Sequence, residues 1–152
     1  MMTEIVGDAW HRERAWLGYA GLLPFLAGSI ALLMSSDSAI TSTAVDVMRY
    51  YAAVIASFLG AVHWGVAKQD PTYARVRLRW GVMPALIAWT LLLLPPGPAF
   101  VGFAALFAAI LYVDVRLLPL LDANYQQLRI RLSTVVIACS LLAGVTQSRP
   151  LV

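Results

Sequence analysis

The uncharged stretch over residues 15–34 constrains the fold of this chain more than any other feature. At about 1.5 Å per residue, a twenty-residue helix is about 30 Å long, which matches the hydrocarbon core of a bilayer. Four more apolar stretches follow, and 61% of the 152 residues are apolar while 12% are charged. A domain of this size in water could not cover so many apolar side chains with polar surface. The sequence therefore predicts an all-α polytopic membrane protein and excludes a soluble dinucleotide-binding enzyme and a disordered tail.

We predict a single transmembrane domain over residues 15–147, built as a five-helix bundle. A leader, residues 1–14, precedes it, and a short tail, residues 148–152, follows it. The five spans cover about residues 15–34, 48–67, 80–94, 99–118 and 132–147.

Prolines separate the third span from the fourth and end the fourth. The run from Pro95 to Pro98 predicts a tight helical hairpin between these two spans, because proline has a fixed φ angle and no amide proton. We expect the fourth helix to continue to Leu118, with Asp114 near the headgroups, until Pro119 ends it.

The basic residues predict the orientation. With five spans, nine of the eleven Lys and Arg residues fall in the flanks on one side and two on the other. The positive-inside rule then places the N-terminus in the cytoplasm and the C-terminus outside. A cleavable signal peptide is the alternative explanation of residues 15–34, although such a signal has only about 7–15 apolar residues. The nine are Arg12, Arg14, Lys68, Arg75, Arg77, Arg79, Arg116, Arg129 and Arg131, and the two are Arg49 and Arg149.

This charge distribution makes the net charge of +3 a topology signal, so we expect the lipid bilayer, and no nucleic acid, as partner. Cys139 is the only cysteine, which excludes a disulfide scaffold.

The second span carries two runs of small residues at helical spacing. Such residues let neighbouring helix backbones approach each other closely. We therefore expect this helix to lie at the centre of the bundle and both runs to be helix-packing faces. The first run is Ala52, Ala56 and Gly60, and the second is Ala53, Ser57, Ala61 and Gly65.

His63 follows Gly60 by three residues, which predicts that it lies on the packed side of this helix. Three interpretations of it are open. A neutral imidazole could hydrogen-bond a neighbouring helix, the residue could contact a proton or a small molecule, or it could bind a metal or haem. The other histidine, His11, lies in the leader, so no pair has the spacing of metal ligands, and we expect no metal and no cofactor.

Asp114 is the best candidate partner of His63, because both are predicted at the cytoplasmic ends of their helices. Trp64 and Tyr112 lie beside them in sequence, so His63, Trp64, Tyr112 and Asp114 form the candidate functional cluster. The structural alternative is that Asp114 pairs with Arg116 or Arg79 as a helix-end carboxylate.

The chain contains no glycine-rich phosphate loop, zinc-protease motif, nucleophile elbow or Cys-x-x-Cys pair. The leading interpretation is a non-catalytic module that associates with itself or with a larger inner-membrane complex. One alternative is a carrier or proton-coupled protein that uses His63 with Asp114. Another is a membrane enzyme acting on lipid or quinone, which would need a cavity open sideways near Pro24, His63 and Pro84.

The motif Ser57-Phe58-Leu59-Gly60-x-x-His63-Trp64-Gly65 resembles the signature of a family of small multi-span membrane proteins of unknown function. This family includes the mitochondrial transmembrane protein sixty-nine. The likeness extends over roughly residues 17–143. It implies a five-span protein of the bacterial inner membrane, and of mitochondria in eukaryotes, and it implies no reaction. Further similar landmarks are residues 17–25, Pro84, Trp89, Tyr125, Leu128 and Arg129.

Overall fold

The computed structural model describes residues 12–119 and 123–148. Within these ranges the chain forms five helices and no strand, which confirms the predicted fold class. The predicted leader and tail lie largely outside the described residues, and so do His11 and Arg149. The helices are α1 (Arg12–Met34), α2 (Ser38–Ala67), α3 (Ala74–Leu91), α4 (Pro96–Tyr112, followed by a π-helical turn, Val113–Leu117) and α5 (Ala123–Gln147).

Among the described helices, four are long and apolar enough to cross a membrane, namely α1, α2, α4 and α5. The first turns of α3 carry Arg75, Arg77 and Arg79, which lower its mean hydropathy. The crossing predicted over residues 80–94 therefore stays a prediction.

Several helices begin earlier than the predicted spans. Helix α2 begins at Ser38 because the side chain of Asp37 caps it, accepting hydrogen bonds from the backbone N–H groups of Ala39 (2.7 Å) and Ile40 (3.4 Å). Helix α5 begins at Ala123 instead of residue 132. The predicted spans followed apolar residues alone, whereas a helix continues through polar residues at its ends.

Helix α4, and not α2, is the most buried helix. In the most apolar 18-residue stretch of α4, 50% of the residues are buried inside the bundle, whereas in that of α2 only 28% are. Phe100, Phe103 and Phe107 fill the space between α4 and its neighbours and are at most 1% exposed. Most of the largest core side chains therefore belong to α4, while α2 packs against α1, α3 and α4, as expected for a central helix.

Helix α3 packs chiefly against α2 and much less against α4, to which a short proline-containing linker joins it. The predicted proline turn is present, since α3 ends at Leu91 and α4 begins at Pro96, but the contact between the two helices is small. The contact between α2 and α3 includes a close approach at two glycines, where a Cβ atom on Gly60 would lie 2.6 Å from the carbonyl oxygen of Gly81. Small residues allow two helix backbones to come this close.

The two runs of small residues in α2 face different surroundings. Ala52, Ala56 and Gly60 are buried, as a helix-packing face should be. In the second run, Ala53 and Ser57 are half-buried and Ala61 and Gly65 are exposed on the outside of the bundle. Within this run, Ala53 packs against the core, whereas the last two residues face outward.

Candidate functional site

Charged and titratable side chains from four parts of the bundle meet at one of its ends. His63 lies near the end of α2, Arg77 near the start of α3, Asp114 in the π-helical turn after α4, and Arg129 in the first turns of α5. All four are at most 4% exposed. We call these residues, together with Asp70, the buried network.

Asp114 lies at the centre of the buried network. Its Oδ1 atom is 2.8 Å from Nε2 of His63, and its Oδ2 atom accepts a hydrogen bond from the guanidinium of Arg129. Both carboxylate oxygens are therefore bound by other helices. The expected pairing with Arg116 or Arg79 is wrong, because the π-helical turn places Asp114 inside the bundle, where it is 1% exposed.

Arg77 connects three segments through its guanidinium. Its Nε donates to Oδ2 of Asp70 (3.0 Å), in the loop between α2 and α3. Its two terminal nitrogens donate to the carbonyl oxygens of Leu118 and Pro119, each at 3.2 Å. These carbonyls follow the last turn of a helix, where backbone oxygens lack helical partners and a cation is favourable. Arg77 thus ties α3 to the end of the π-helical turn.

The same guanidinium fixes the tautomer of His63. One terminal nitrogen of Arg77 lies 3.3 Å from Nδ1 of His63, and arginine has donors only. Nδ1 must then accept, so Nε2 carries the proton and donates to Asp114. Both nitrogens of the imidazole are therefore occupied by charged side chains.

The charges of the buried network balance. The two arginines, Arg77 and Arg129, offset the two aspartates, Asp70 and Asp114. Buried charges are tolerated when they are paired and hydrogen-bonded, whereas removal of one partner leaves an uncompensated charge. The buried network is therefore a set of mutually dependent contacts between helices.

Two members of the predicted cluster lie apart from these residues. Trp64 and Tyr112 are 55% and 58% exposed, on the outside of the bundle. The indole N–H of Trp64 donates to the carbonyl oxygen of Leu78 (3.1 Å), so this residue joins α2 to α3. Of the four predicted residues, the structure brings together His63 and Asp114.

Sequence reasoning missed the roles of Asp70, Arg77 and Arg129 because it counted the two arginines only as loop charges. Helical spacing carries a signal that could have found them. Arg77 shares a buried face with Gly81, Pro84 and Ala88, and Arg129 shares one with Ser133, Val136 and Ser140.

Within the described residues, neither a metal site nor a cavity joining Pro24, His63 and Pro84 is present. No group of three His, Cys, Asp or Glu side chains that could hold a metal ion occurs within residues 12–119 and 123–148. His63 and Pro84 are completely packed, and Pro24 lines a shallow groove between α1 and α2. A deeper cleft lies between α1, α2, α4 and α5, and Arg129 of the buried network is part of its lining.

The buried network lies within a segment that matches a known family. The family model described as "Protein of unknown function (DUF3429)" matches residues 10–145. The chain belongs to this family. A relative of this DUF3429 protein, Transmembrane protein 69 of Xenopus tropicalis, is 33% identical to it over 138 residues.

The match covers 88% of the DUF3429 chain and 53% of its Xenopus relative, so the chain spans about half the length of that protein. No solved structure gives a significant match. The family resemblance is confirmed, and the chain is a membrane protein with several apolar helices.

Proposed function

We propose that this DUF3429 protein is a non-catalytic helical module of the bacterial inner membrane that associates with itself or with a larger membrane complex. The observation that carries the proposal is that His63 and Asp114 are fully occupied by contacts with other helices. Each ring nitrogen of His63 and each carboxylate oxygen of Asp114 contacts another helix. A general acid or base needs an atom within reach of its substrate, and these atoms are bound to one another instead.

The outward-facing end of the second run of small residues on α2 provides a surface for association. Ala61 and Gly65 are exposed, and a Cβ atom on Gly65 would have no other atom within 4 Å. Within a membrane, helix association depends on close packing, which small residues allow. A helix from another copy or from another protein could therefore approach the backbone of α2 here.

The test is Gly65→Leu, which fits the isolated bundle but blocks close approach from outside. Its matched control is Ala108→Leu, at an exposed position of α4. We expect Gly65→Leu to accumulate in membranes at the normal level but to lose most of its self-association or partner recovery after mild detergent extraction. Light scattering and chemical cross-linking measure this loss. Equal association of both variants and the unmodified protein would overturn the proposal.

A proton-coupled function that uses His63 and Asp114 is the alternative, because ionisable side chains inside membranes often mark ion pathways. The buried contact of 2.8 Å between His63 and Asp114 favours this function. The contact between Arg77 and Nδ1 of His63 opposes proton transfer through the imidazole ring.

His63→Gln separates these two functions, because glutamine can still donate to Asp114 but does not titrate. A purely structural role predicts that His63→Gln keeps more thermal stability and more complementing activity than His63→Ala. A proton-coupled role instead predicts a folded His63→Gln protein with the null phenotype of His63→Ala.

A further inference from the structure

A cleft of about 430 Å³ lies between α1, α2, α4 and α5. Small-molecule sites usually occupy about 300–1,000 Å³, so the cleft is large enough for a ligand. Its walls are mainly apolar, and they include Phe25, Leu59 and Phe107. Two lining residues, Leu17 and Phe58, are 66% and 63% exposed. The cleft therefore opens sideways, on the apolar surface of the bundle.

Two arginines and two hydroxyl-bearing residues add polarity to this otherwise apolar lining. Arg14, Tyr125, Arg129 and Ser133 all line the cleft. The guanidinium carbon of Arg14 lies 4.9 Å from the centroid of the Tyr125 ring, which brings α1 and α5 together there. Each of these arginines lies near the start of its helix, so both guanidinium groups lie towards one end of the cleft.

Within the described part of the chain, Arg129 has an unpaired N–H group, at Nε, that could donate a hydrogen bond at this site. One terminal nitrogen binds Asp114, whereas Nε is buried and has no hydrogen-bond partner among the described residues. Buried N–H groups are almost always paired, and leaving one unpaired costs free energy. An acceptor from a bound molecule would satisfy it.

We propose that the cleft binds one acyl chain of an anionic phospholipid, whose phosphate contacts Arg14 and Arg129. Guanidinium groups match phosphate oxygens in geometry and charge. The apolar walls suit a hydrocarbon chain, and the sideways opening leaves the second chain of the same lipid in the bilayer. This site is separate from the outward face of α2 and does not depend on association there.

The test is native mass spectrometry of the full chain, purified in mild detergent and titrated with either of two phospholipids. The probes are dioleoyl phosphatidylglycerol and dioleoyl phosphatidylcholine, which share their chains and differ in headgroup charge. We expect the first phosphatidylglycerol to bind about tenfold more tightly than the first phosphatidylcholine, because only the anionic lipid keeps a net charge for the arginines.

Two matched pairs of variants locate the site. Ile55 lines the cleft, whereas the adjacent Val54 is 61% exposed and does not. We expect Ile55→Phe to weaken the first phosphatidylglycerol at least about tenfold by filling the cleft, and Val54→Phe to bind like the unmodified protein. Arg14→Gln should remove most of the preference for the anionic lipid. Arg12→Gln, two residues earlier and not part of the cleft lining, should keep it.

Size-exclusion profiles and melting temperatures show which variants remain folded, and Arg14→Gln carries the test if Ile55→Phe does not fold. Equal affinity of the unmodified protein for both lipids would overturn the proposal. So would equal effects within both variant pairs, or co-purification of a free fatty acid in place of a phospholipid.

Discussion

At the scale of single residues, two glycines of α2 are under opposite constraints although they are only five positions apart. A Cβ atom on Gly60 would lie 2.6 Å from the carbonyl oxygen of Gly81 and 3.0 Å from Cγ of Pro84. Backbone and a proline ring cannot rotate away, so α2 and α3 would have to separate. At Gly65 the same atom would meet nothing within 4 Å.

We therefore expect Gly60→Ala to destabilise the protein by about 1–3 kcal/mol, the usual cost of overpacking. Gly65→Ala should be neutral or stabilising by up to about 1 kcal/mol, because alanine favours the helix. Thermal melting in detergent compares the two variants. Similar melting temperatures would contradict the close approach of α2 and α3, and Gly60→Leu should disrupt that packing still further.

At the scale of elements, Arg77 holds α3 in place through contacts that depend on the shape of its side chain. Its guanidinium donates to Asp70, Leu118 and Pro119 and approaches Nδ1 of His63. A lysine has the same charge but a single nitrogen, so it cannot make these contacts together.

We expect Arg77→Lys to cost about 1–3 kcal/mol, since at least one buried acceptor loses its partner. Arg75→Lys, two residues earlier and exposed, should cost less than about 0.5 kcal/mol. Limited proteolysis of the loop before α3, together with melting temperatures, would detect the difference. Equal resistance of both variants to proteolysis would show that charge alone accounts for the role of Arg77.

The same elements show what the sequence could and could not predict. The helices followed from the length of apolar segments, because a bilayer requires that length. His63 and Asp114 followed from their matching positions at helix ends. The part played by Arg77 and Arg129 did not follow, because an arginine in a loop and one paired within a bundle look alike in a charge count.

At the scale of the whole molecule, the question is whether α3 crosses the membrane. One end of α3 lies at the buried network, through Arg77. At its other end, the guanidinium of Arg49 in α2 donates to the carbonyl oxygens of Leu92 and Leu94, both at 2.7 Å. From Arg77 to Leu92 a helix rises about 22 Å, and from Arg49 to His63 about 21 Å. Helices α2 and α3 thus run side by side over the same distance.

Because α3 lies beside α2 over the same length, it supports a fifth crossing, although the composition of α3 alone does not. Arg77 and Arg129 are buried in ion pairs and do not count as loop charges, which leaves seven basic residues on the predicted inner side against two outside. The excess of basic residues on the predicted inner side still favours a cytoplasmic N-terminus.

Single cysteines test this topology after the buried Cys139 has been replaced by alanine. With five crossings, Ser36→Cys and Leu93→Cys should react with a membrane-impermeant maleimide on intact cells, whereas Gln69→Cys and Gln127→Cys should react only after permeabilisation. If α3 stayed on the inner side, Leu93→Cys would be protected and Gln127→Cys labelled. The labelling of Leu93→Cys and Gln127→Cys therefore distinguishes the two topologies. Ser36 and Gln69 precede α3 and keep their sides in both, so they serve as controls.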